Sequence, residues 1–344
     1  MKNKVVTFGE IMLRLSTPQH QRIEQAHSFE SSFGGGEANV AVSLSKFGMY
    51  TEFMSCLPAN EIGDACLQEL RKHNVGVTHI LRGSERLGIY FLEHGASGRP
   101  SNVIYDRSNS AIANIKPDNI SWETILKDAT WFHISGITPA LSQGAADTCL
   151  AGLKIANKLD ITVSCDLNYR KKLWNYGKSA QEVMPEIISH CDIVLGNEED
   201  AMMVLGLKKE SIHVEKGEIN TRAFKEISEQ IIEQFPRVKK VITTLRTSIN
   251  ANHNKWSGLL YDGKDLLEGR TYDITHIVDR VGSGDAFMAG IIFGLLNFNN
   301  DQKTLEFAIA ASCLKHTIPG DFNLVSADEV IKLMQGDGSG RVVR

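Results

Sequence analysis

The chain has 344 residues, 42% of them hydrophobic and 23% charged, with a formal net charge of −4 at pH 7. This composition is that of an ordinary globular protein, long enough for one large domain or two. The small negative charge provides no basic surface field, so we expect neither nucleic acid nor a membrane surface as a partner.

The sequence lacks an apolar run long enough for a transmembrane helix. Its first residues, MKNKVVTFGE, enter a strand-like run without the apolar region of a signal peptide. The six cysteines are scattered without CxxC pairs, which is typical of reduced thiols rather than a disulfide framework or a zinc site. We therefore expect a cytoplasmic protein.

The first predicted elements are a strand at Lys4–Phe8 and a half-exposed strand at Ile11–Leu15, where apolar and polar residues alternate. A segment with three consecutive glycines, Phe33–Asn39, then leads into a helical pattern at Val40–Phe47. The glycines would let a ligand lie against the main chain, and Asn39 in the first helical turn would reach the same ligand. A flexible glycine hinge is the alternative interpretation.

Thr51–Leu57 and Val77–Leu81 are predicted strands on either side of a predicted helix, Asp64–His73. Two further strand-like runs, Gly88–Glu93 and Asn102–Arg107, flank a turn-rich segment and are typical of a hairpin. Strands without intervening helices predict a small antiparallel sheet beside the main strand–helix alternation, and we interpret this sheet as a lid.

Strand–helix alternation resumes after Pro117. The predicted strands are Trp131–Ser135, Ile161–Asp166, Ile193–Leu195, Val238–Thr244 and Lys255–Tyr261. The predicted helices are Ser142–Leu159, Val183–His190, one that opens at Asn197, Thr221–Gln234, Ala286–Leu296 and Leu305–Leu314. This alternation predicts a mostly parallel sheet with helices on both faces. Ligands of such sheets bind beyond the carboxyl ends of the strands, and the polar clusters that fall there are Asp166–Arg170, Asn197–Asp200, Leu245–Arg246 and Gly282–Asp285.

The stretch Val278–Leu296 carries the most informative of these clusters. The turn Gly282-Ser283-Gly284 precedes an apolar helix, and free N–H groups at a helix start form an anion cradle. A carboxylate repels an anion, so anion binding alone does not explain an aspartate at this position. Asp285 is better explained as a base that accepts a proton from an attacking hydroxyl during phosphoryl transfer. The alternative is an ordinary glycine turn with a capping aspartate.

Two separated segments resemble the signatures of one family. Asp279-x-x-Gly282-Ser283-Gly284-Asp285-x-x-x-Ala289-Gly290 resembles the C-terminal signature of the PfkB, or ribokinase-like, carbohydrate kinases, and Gly35-Gly36-x-Ala38-Asn39 resembles their N-terminal one. The resemblance extends from Val5 to about Met334. It implies a ribokinase-like α/β fold, with a mostly parallel central sheet and helices on both faces. It also implies one kinase domain over residues 1–344, with lid segments at about 11–33 and 86–108.

Within this family the chain resembles the 2-keto-3-deoxygluconate kinases. The resemblance rests on Tyr90, Tyr105-x-Arg107, Asp166-x-Asn168-x-Arg170 and the tail Lys315–Asn323. The planar fork of arginine matches the carboxylate of a sugar acid, so Arg107 and Arg170 would converge on it when the lid closes. The implied substrate-binding residues are Gly34, Gly35, Asn39, Tyr90, Tyr105, Arg107, Asn168, Arg170 and Asp285. Surface salt bridges for the arginines and hairpin packing for the tyrosines are the alternatives.

The implied reaction transfers a phosphoryl group from ATP to 2-keto-3-deoxygluconate and yields the 6-phosphate. Asp285 would be the general base, and the N–H groups of Gly282, Ser283 and Gly284 would hold the developing charge. The implied nucleotide-binding residues are Asn197, Leu245, Arg246, Gly282, Gly284 and His316.

Mg²⁺ would be bound through water by Glu198 and Asp200, because the NxxE motif of the family reads Asn197-Glu198-Glu199-Asp200 here. Acidic residues that merely favour a helix N-terminus are the alternative. Arg280 stands where the family usually has threonine or another small residue, which leaves dependence on a monovalent cation open.

Other functions remain open at this point. The first is a kinase of a neutral sugar such as fructose. Another is a non-catalytic nucleotide- or sugar-binding protein, although the intact Gly-x-Gly-Asp argues against it. A Rossmann dinucleotide site requires GxGxxG directly after the first strand, whereas this chain has Gly9-Glu10-Ile11-Met12. An open edge on the lid sheet would pair with a second copy, so we expect a dimer or a higher homo-oligomer.

Overall fold

The computed structural model of the chain describes residues 3–83, 86–207 and 221–336. Its strands, in chain order, are β1 (Lys4–Phe8), β2 (Met12–Ser16), β3 (Glu30–Gly34), β4 (Tyr50–Met54), β5 (Cys56–Leu57), β6 (Leu81–Arg82), β7 (Ile89–Glu93), β8 (Asn102–Asp106), β9 (Ala129–Ser135), β10 (Thr162–Asp166), β11 (Ile193–Leu195), β12 (Lys240–Asn250), β13 (His253–Tyr261), β14 (Leu266–Glu268) and β15 (Tyr272–Ile274). Its α-helices are α1 (Gly36–Lys46), α2 (Glu61–Lys72), α3 (Trp122–Ile125), α4 (Gln143–Lys158), α5 (Ala180–Ile188), α6 (Glu198–Leu205), α7 (Thr221–Gln234), α8 (Ser283–Asn297), α9 (Asp301–Lys315) and α10 (Ala327–Met334). The predicted domain of residues 1–344 thus extends beyond the described residues at both ends.

The central sheet has the strand order β14-β13-β12-β11-β10-β9-β1-β4, and β15 also pairs with β13. All pairs from β12 to β4 are parallel, whereas β13 pairs antiparallel with β12, β14 and β15. The predicted α/β class with a mostly parallel sheet is therefore confirmed. Among the described residues, none of the helices combines the length and apolar character that crossing a bilayer requires.

Helices cover both faces of this sheet because its strands alternate buried apolar side chains between two cores. On β9, Phe132 packs into the core that α4, α5, α6 and α7 cover. Its neighbour Trp131 packs into the opposite core, with α1, α8, α9 and α10. Successive side chains of a strand point to opposite faces, so a strand buried on both sides reads as a nearly continuous apolar run.

A separate four-stranded sheet, here called the small sheet, has the order β3-β2-β7-β8. Its strands lie within the predicted lid segments except for Gly34, the last residue of β3. The hairpin β7–β8 is antiparallel as predicted, but β2 and β7 pair in parallel, so the sheet is mixed. Strand β3 was not predicted because its sequence, ESSFG, is mostly polar. It forms because β2 offers it an antiparallel partner.

The predicted strand Val77–Leu81 is wrong. Only Leu81 belongs to a strand, the two-residue β6, which pairs with β5. The preceding residues form a turn in which the N–H of Ile80 donates to the carbonyl of Val77 over 3.3 Å. Val77 and Ile80 still pack against the core beside α1 and α2, so the apolar pattern reports burial rather than extended backbone.

Helix α8 packs unusually close to α9 because glycines face the contact. A Cβ atom added at Gly290 would lie 2.5 Å from the Cα of Ala308, and one at Gly294 would lie 2.9 Å from the Cα of Thr304. Real Cβ atoms do not approach backbone so closely. The position of α8, and of the turn before it, is therefore fixed by backbone-to-backbone packing.

We expect Gly290→Ala to lower the free energy of unfolding by about 1–3 kcal/mol, because the methyl group would push α8 and α9 apart. Thermal and urea unfolding measure this effect. Gly98→Ala, where an added Cβ meets no atom within 4 Å, is the control and should leave stability nearly unchanged. Equal stabilities for the two variants would contradict the close-packing interpretation.

Candidate active site

A cavity of about 560 Å³ lies between the small sheet and the carboxyl ends of β10, β11 and β12. Among the predicted site residues, those that line it are Gly34, Gly35, Asn39, Tyr90, Tyr105, Arg107, Asn168, Arg170, Asn197, Asp200, Arg246, Gly282, Ser283, Gly284 and Asp285. Its volume is that of a typical small-molecule site. The structure thus brings together residues that the sequence spreads over most of the chain.

Asp285 lies where the starts of α1 and α8 meet. The Nδ2 of Asn39 donates to its Oδ2 over 2.7 Å, and the Oδ1 of Asn39 accepts from the N–H of Gly35 over 3.2 Å. Burial raises the pKa of Asp285 to about 7, helped by the nearby charges of Asp321 and Glu37 and opposed by the hydrogen bond from Asn39. A carboxyl with this pKa accepts a proton effectively at neutral pH.

The turn before Asp285, residues Gly282 to Gly284, has the geometry of an anion site. Gly282 is the N-cap residue of α8, with φ at +80°, and no side chain caps the helix. The first N–H groups of a helix have no partners within the helix and face the positive end of its dipole. A Cβ at Gly282 would lie 2.0 Å from the carbonyl oxygen of Asp321, so only glycine fits.

Two serine hydroxyl groups hold the backbone of this turn in place. The Oγ of Ser283 donates to the carbonyl of Arg280 over 3.0 Å, and the Oγ of Ser312 donates to the carbonyl of Ser283 over 2.6 Å. Arg280 also lines the cavity, and its guanidinium donates to the carbonyl of Ala251 at the end of the β12–β13 hairpin. The turn therefore has a fixed shape before any ligand arrives.

Arg170 reaches the cavity through a tight turn after β10. The N–H and Nδ2 groups of Asn168 donate to the carboxylate of Asp166 over 3.1 and 3.4 Å, and Asn168 has φ at +37°. The guanidinium of Arg170 donates to the carbonyl of Tyr169 over 3.0 Å and forms no ion pair among the described residues. Its positive charge lowers the pKa of Asp285, although burial dominates there.

Arg107 has a different environment, because it forms a buried ion pair with Glu10. Glu10 also accepts a hydrogen bond of 2.7 Å from Ser110, and the guanidinium of Arg107 lies 5.4 Å from the ring centre of Tyr105. The alternative interpretation of Arg107 from the sequence was a surface salt bridge, whereas the observed ion pair is buried. The hydroxyl of Tyr90 donates to Asp321 over 2.6 Å, so this tyrosine is held in place at the cavity wall.

Asp166 and Asp200 supply carboxylate oxygens at the strand ends. Burial, together with the charges of Asp200 and Asp285, raises the pKa of Asp166 well above its usual range. Burial also raises the pKa of Asp200, against hydrogen bonds from the N–H groups of Asn197 and Tyr169. Glu198 lies in the first turn of α6 and is not among the cavity-lining residues. Within the described ranges, no group of three or more His, Cys, Asp or Glu side chains is arranged to hold a metal ion.

Of the remaining predicted nucleotide-binding residues, Arg246 lines the cavity, whereas Leu245 and His316 do not. Thr243 and Thr244 also line it, and Leu245 packs against the core beneath α7. His316 is buried behind Trp256, with 4.9 Å between ring centres, and its Nδ1 lies 2.8 Å from the carbonyl of Ser312. Burial lowers the pKa of His316 to about 4, so its ring is neutral. Trp256 itself lines the cavity.

Residues 2–325 match the model of the pfkB family carbohydrate kinases. The chain belongs to this family. A 2-dehydro-3-deoxygalactonokinase of Haloferax volcanii is 34% identical over 342 residues, which are 99% of each chain.

Solved structures agree with this assignment. The crystal structure of a 2-dehydro-3-deoxygluconokinase from Thermotoga maritima has a TM-score of 0.91 and 47% identity, and covers 98% of this chain and 99% of that one. A Xylella fastidiosa fructokinase structure with bound ATP has a TM-score of 0.77 at 22% identity, with 98% and 99% of the two chains covered. At that identity the fructokinase shows only the shared fold.

Sequence reasoning missed several residues that line or support this kinase site, among them Glu10, Arg14 and the contacts of Asp321. Asp321 was quoted in the tail segment without a role, yet it accepts hydrogen bonds from Tyr90 and Arg14. Charge was the only feature in the sequence that marked these residues as candidates, because their partners lie far away along the chain. Trp256, in a strand that was correctly predicted, carried no local motif at all.

We expect Asp285→Asn to exchange activity for stability in this kinase. The pKa of Asp285 rises from 3.8 to about 7 on folding, so its ionisation destabilises the fold increasingly between about pH 4 and pH 7, fully above that range and not at all below it. The asparagine side chain of the variant does not ionise, so the substitution removes the destabilisation that ionised Asp285 causes. The variant should gain on the order of 2–4 kcal/mol in free energy of unfolding at pH 8, and the gain should shrink towards pH 5.

Unfolding curves at both pH values test this, with Asp118→Asn, a change of an exposed carboxylate, as the control. The same variant should lose about 10²–10⁴-fold in kcat, since it can no longer accept a proton. A stability change that is equal at pH 5 and pH 8, or near-normal turnover, would contradict the role of Asp285.

Proposed function

We propose that the chain is an ATP-dependent kinase of a 2-keto-3-deoxy sugar acid, which converts 2-keto-3-deoxygluconate to its 6-phosphate. The observation that carries this proposal is the position of Asp285. Its half-buried carboxyl, with a pKa of about 7, lies in one cavity with the anion-binding turn and with Arg170. The relatives named for 2-dehydro-3-deoxy sugar acids, at 34% and 47% identity, support the same substrate class.

In this mechanism the terminal hydroxyl of the sugar acid gives its proton to Asp285. The hydroxyl oxygen of the sugar acid then bonds to the γ-phosphorus of ATP, while the bond from this phosphorus to the bridging oxygen breaks and ADP leaves. The N–H groups of Gly282, Ser283 and Gly284 stabilise the charge that builds up on the transferred group. Arg246 lies at the nucleotide end, where its positive charge would neutralise phosphate oxygens. Catalysis here is mainly positioning and electrostatics, as expected for phosphoryl transfer.

The donors at the strand ends fit a magnesium ion bound together with the nucleotide. Asp200 and Asp166 have raised pKa values because their carboxyl groups are partly removed from solvent, and a divalent cation would relieve that cost. Glu198 would act through water. Mg²⁺ usually takes one or two carboxylates, with water and phosphate oxygens completing its shell. When bound, it would neutralise charge on the phosphates.

The carboxylate of the sugar acid would be recognised by Arg170 and Arg107. Arg170 forms no ion pair among the described residues and so offers an available charge. Arg107 is already paired with Glu10 and would contribute hydrogen-bond donors instead. Tyr105, Asn168 and the main chain at Gly34 and Gly35 line the same end.

A panel of acceptors with ATP, read by ADP release, tests the proposed function. It should contain 2-keto-3-deoxygluconate, its 4-epimer 2-keto-3-deoxygalactonate, gluconate, fructose and ribose. We expect kcat/KM for one or both keto-deoxy acids to exceed that for every neutral sugar. A preference for fructose would replace the proposal with a neutral-sugar kinase. Absence of turnover together with tight nucleotide binding would favour a non-catalytic binding protein.

We expect Arg170→Ala to raise KM for the sugar acid about 10–100-fold, the effect of losing a charge-assisted hydrogen bond of 1.5–3 kcal/mol. Because Arg170 also lowers the pKa of Asp285, the acid limb of the pH profile should move to higher pH. Kinetics should therefore be measured at pH 8.5 as well as pH 7.

Lys171→Ala, an exposed neighbour in the same loop, is the matched control. Arg107→Ala should also raise KM, but it leaves the Glu10 carboxylate buried without its partner and so should lower stability too. Unchanged KM in both arginine variants would contradict carboxylate recognition by this pair.

We further propose that the small sheet acts as a lid within a single kinase domain and that its outer face joins two copies. Leu15, Phe91 and Ile104 are neighbours across β2, β7 and β8 on the face opposite the cavity. Ile104 is 48% exposed, and β8 is one of the two edge strands of the sheet. An exposed apolar sheet face with a free edge favours association.

Cytoplasmic localisation stays our proposal, based on the six cysteines, all of them free thiols.

We expect the protein to be a dimer or larger in light scattering, and Ile104→Glu to shift it towards the monomer by placing a charge on this face. Ile62→Glu is the matched control, because Ile62 on α2 is 47% exposed and lies outside the small sheet. If the Ile104 variant keeps the wild-type mass, or the wild type is monomeric, the lid-to-lid interface is wrong.

A further inference from the structure

A buried charge network connects the small sheet to the anion-binding turn, and the mechanism above does not use it. Arg14, on β2, donates through Nη2 to Asp279 over 2.5 Å and through Nη1 to Asp321 over 2.8 Å. Its Nε donates to the hydroxyl of Ser16 over 2.7 Å. The side chains of Arg14, Asp279 and Asp321 are only 2–4% exposed. One planar guanidinium thus holds two carboxylates.

Both carboxylates belong to backbone segments that shape the turn. Asp279 accepts from the N–H of Val281 over 3.0 Å and from the N–H of Gly320 over 3.1 Å. The carbonyl of Asp321 occupies the space that a Cβ at Gly282 would need. A displacement of either aspartate would therefore move the N–H groups that face the transferred phosphoryl group.

The core contributes a second cation to the same network. Lys315 is fully buried, and its Nζ lies 3.1 Å from the carbonyl of Ile318 and 3.4 Å from that of Asp279. Two cations therefore balance two carboxylates whose side chains are almost fully removed from solvent. Desolvation offsets most of the attraction in such a group, so buried ion pairs are poor sources of stability. Their geometry is the better explanation for their presence.

The small sheet contacts this network at two neighbouring points. Arg14 and Tyr90 are register partners on β2 and β7, and the Tyr90 hydroxyl donates to the same Oδ1 of Asp321 that Arg14 contacts. The inner face of the small sheet therefore carries Tyr90 at the sugar end of the cavity and Arg14 against the supports of the turn.

We propose that Arg14 is a positioning residue for phosphoryl transfer, which fixes the sugar-binding sheet relative to the anion-binding turn. The inference rests on the proposed function, because it requires an acceptor held by the small sheet and a phosphoryl group held by the turn. In-line transfer depends on the placement of these two groups, and an error near 1 Å can cost about 10²-fold in rate. Arg14 contacts neither reactant and acts through Asp279 and Asp321.

The test is Arg14→Lys, which keeps the charge but replaces the planar fork by a compact ammonium that cannot hold both carboxylates in the same way. We expect kcat at saturating ATP and acceptor to fall about 10-fold or more. We also expect the ratio of ATP hydrolysed to acceptor phosphorylated to rise several-fold, because water competes when the acceptor is misplaced. Arg99→Lys is the matched control, since Arg99 pairs with Glu93 and with the carbonyl of His20 away from the cavity.

A purely structural role for Arg14 makes a different prediction. It would lower the melting temperature while kcat and the coupling ratio, measured well below that temperature, stay at wild-type values, and this result would overturn the proposal. If Arg14→Lys does not fold, Ser16→Ala decides, because it removes only the hydrogen bond to Nε. A raised coupling ratio in that variant supports the proposal, and an unchanged ratio overturns it.

The assay uses whichever acceptor the wild-type enzyme phosphorylates fastest in the sugar panel. Failure of the sugar-acid assignment therefore appears in the wild-type panel alone. Failure of the positioning role appears as a wild-type kcat and a wild-type coupling ratio in the Arg14 variant. The two results are distinguishable.

Discussion

The hydrogen bond between Asn39 and Asp285 joins the two helix starts on which the site depends. Helices α1 and α8 both have glycine at the N-cap position, and their free N–H groups lie close to one carboxyl group. Helix dipoles favour the ionised carboxylate, whereas burial favours the protonated one, and burial prevails with a pKa of about 7. The close packing of α8 on α9 keeps this balance in place, because a shift of α8 would change both the burial of Asp285 and its distance from Asn39.

The sequence predicted the parts of the fold that follow from local patterns. The strands Lys4–Phe8 and Ile193–Leu195 and the helix Thr221–Gln234 have the predicted bounds, because each is a clear apolar pattern between turn residues. The glycine signatures placed the turn and Asn39 correctly at helix starts. Strand β3 was missed because its partner, rather than its own composition, makes it a strand, and the Val77–Leu81 prediction failed because apolar residues alternate in buried turns too.

Long-range charge pairing was beyond the reach of the sequence. Arg107 pairs with Glu10, 97 residues away, and Arg14 pairs with Asp279, 265 residues away. Periodicity reports which face of an element is buried, but it does not report which of several acidic residues a buried arginine will meet. A polar position such as Arg14 in a half-buried strand looks solvent-facing in the sequence. Only the folded chain shows that the alternation places it against the core.

The two arginines at the sugar end differ in their charge balance, and this difference divides the task of recognition. Arg107 forms a neutral pair with Glu10, so it can distinguish acceptors only by their shape and hydrogen bonding. Arg170 is exposed and forms no ion pair among the described residues, so it can distinguish charged acceptors from uncharged ones. Redesign of this scaffold for uncharged acceptors would therefore begin at Arg170, which can be replaced without leaving a buried counter-ion behind, and would keep the Glu10–Arg107 pair as part of the frame.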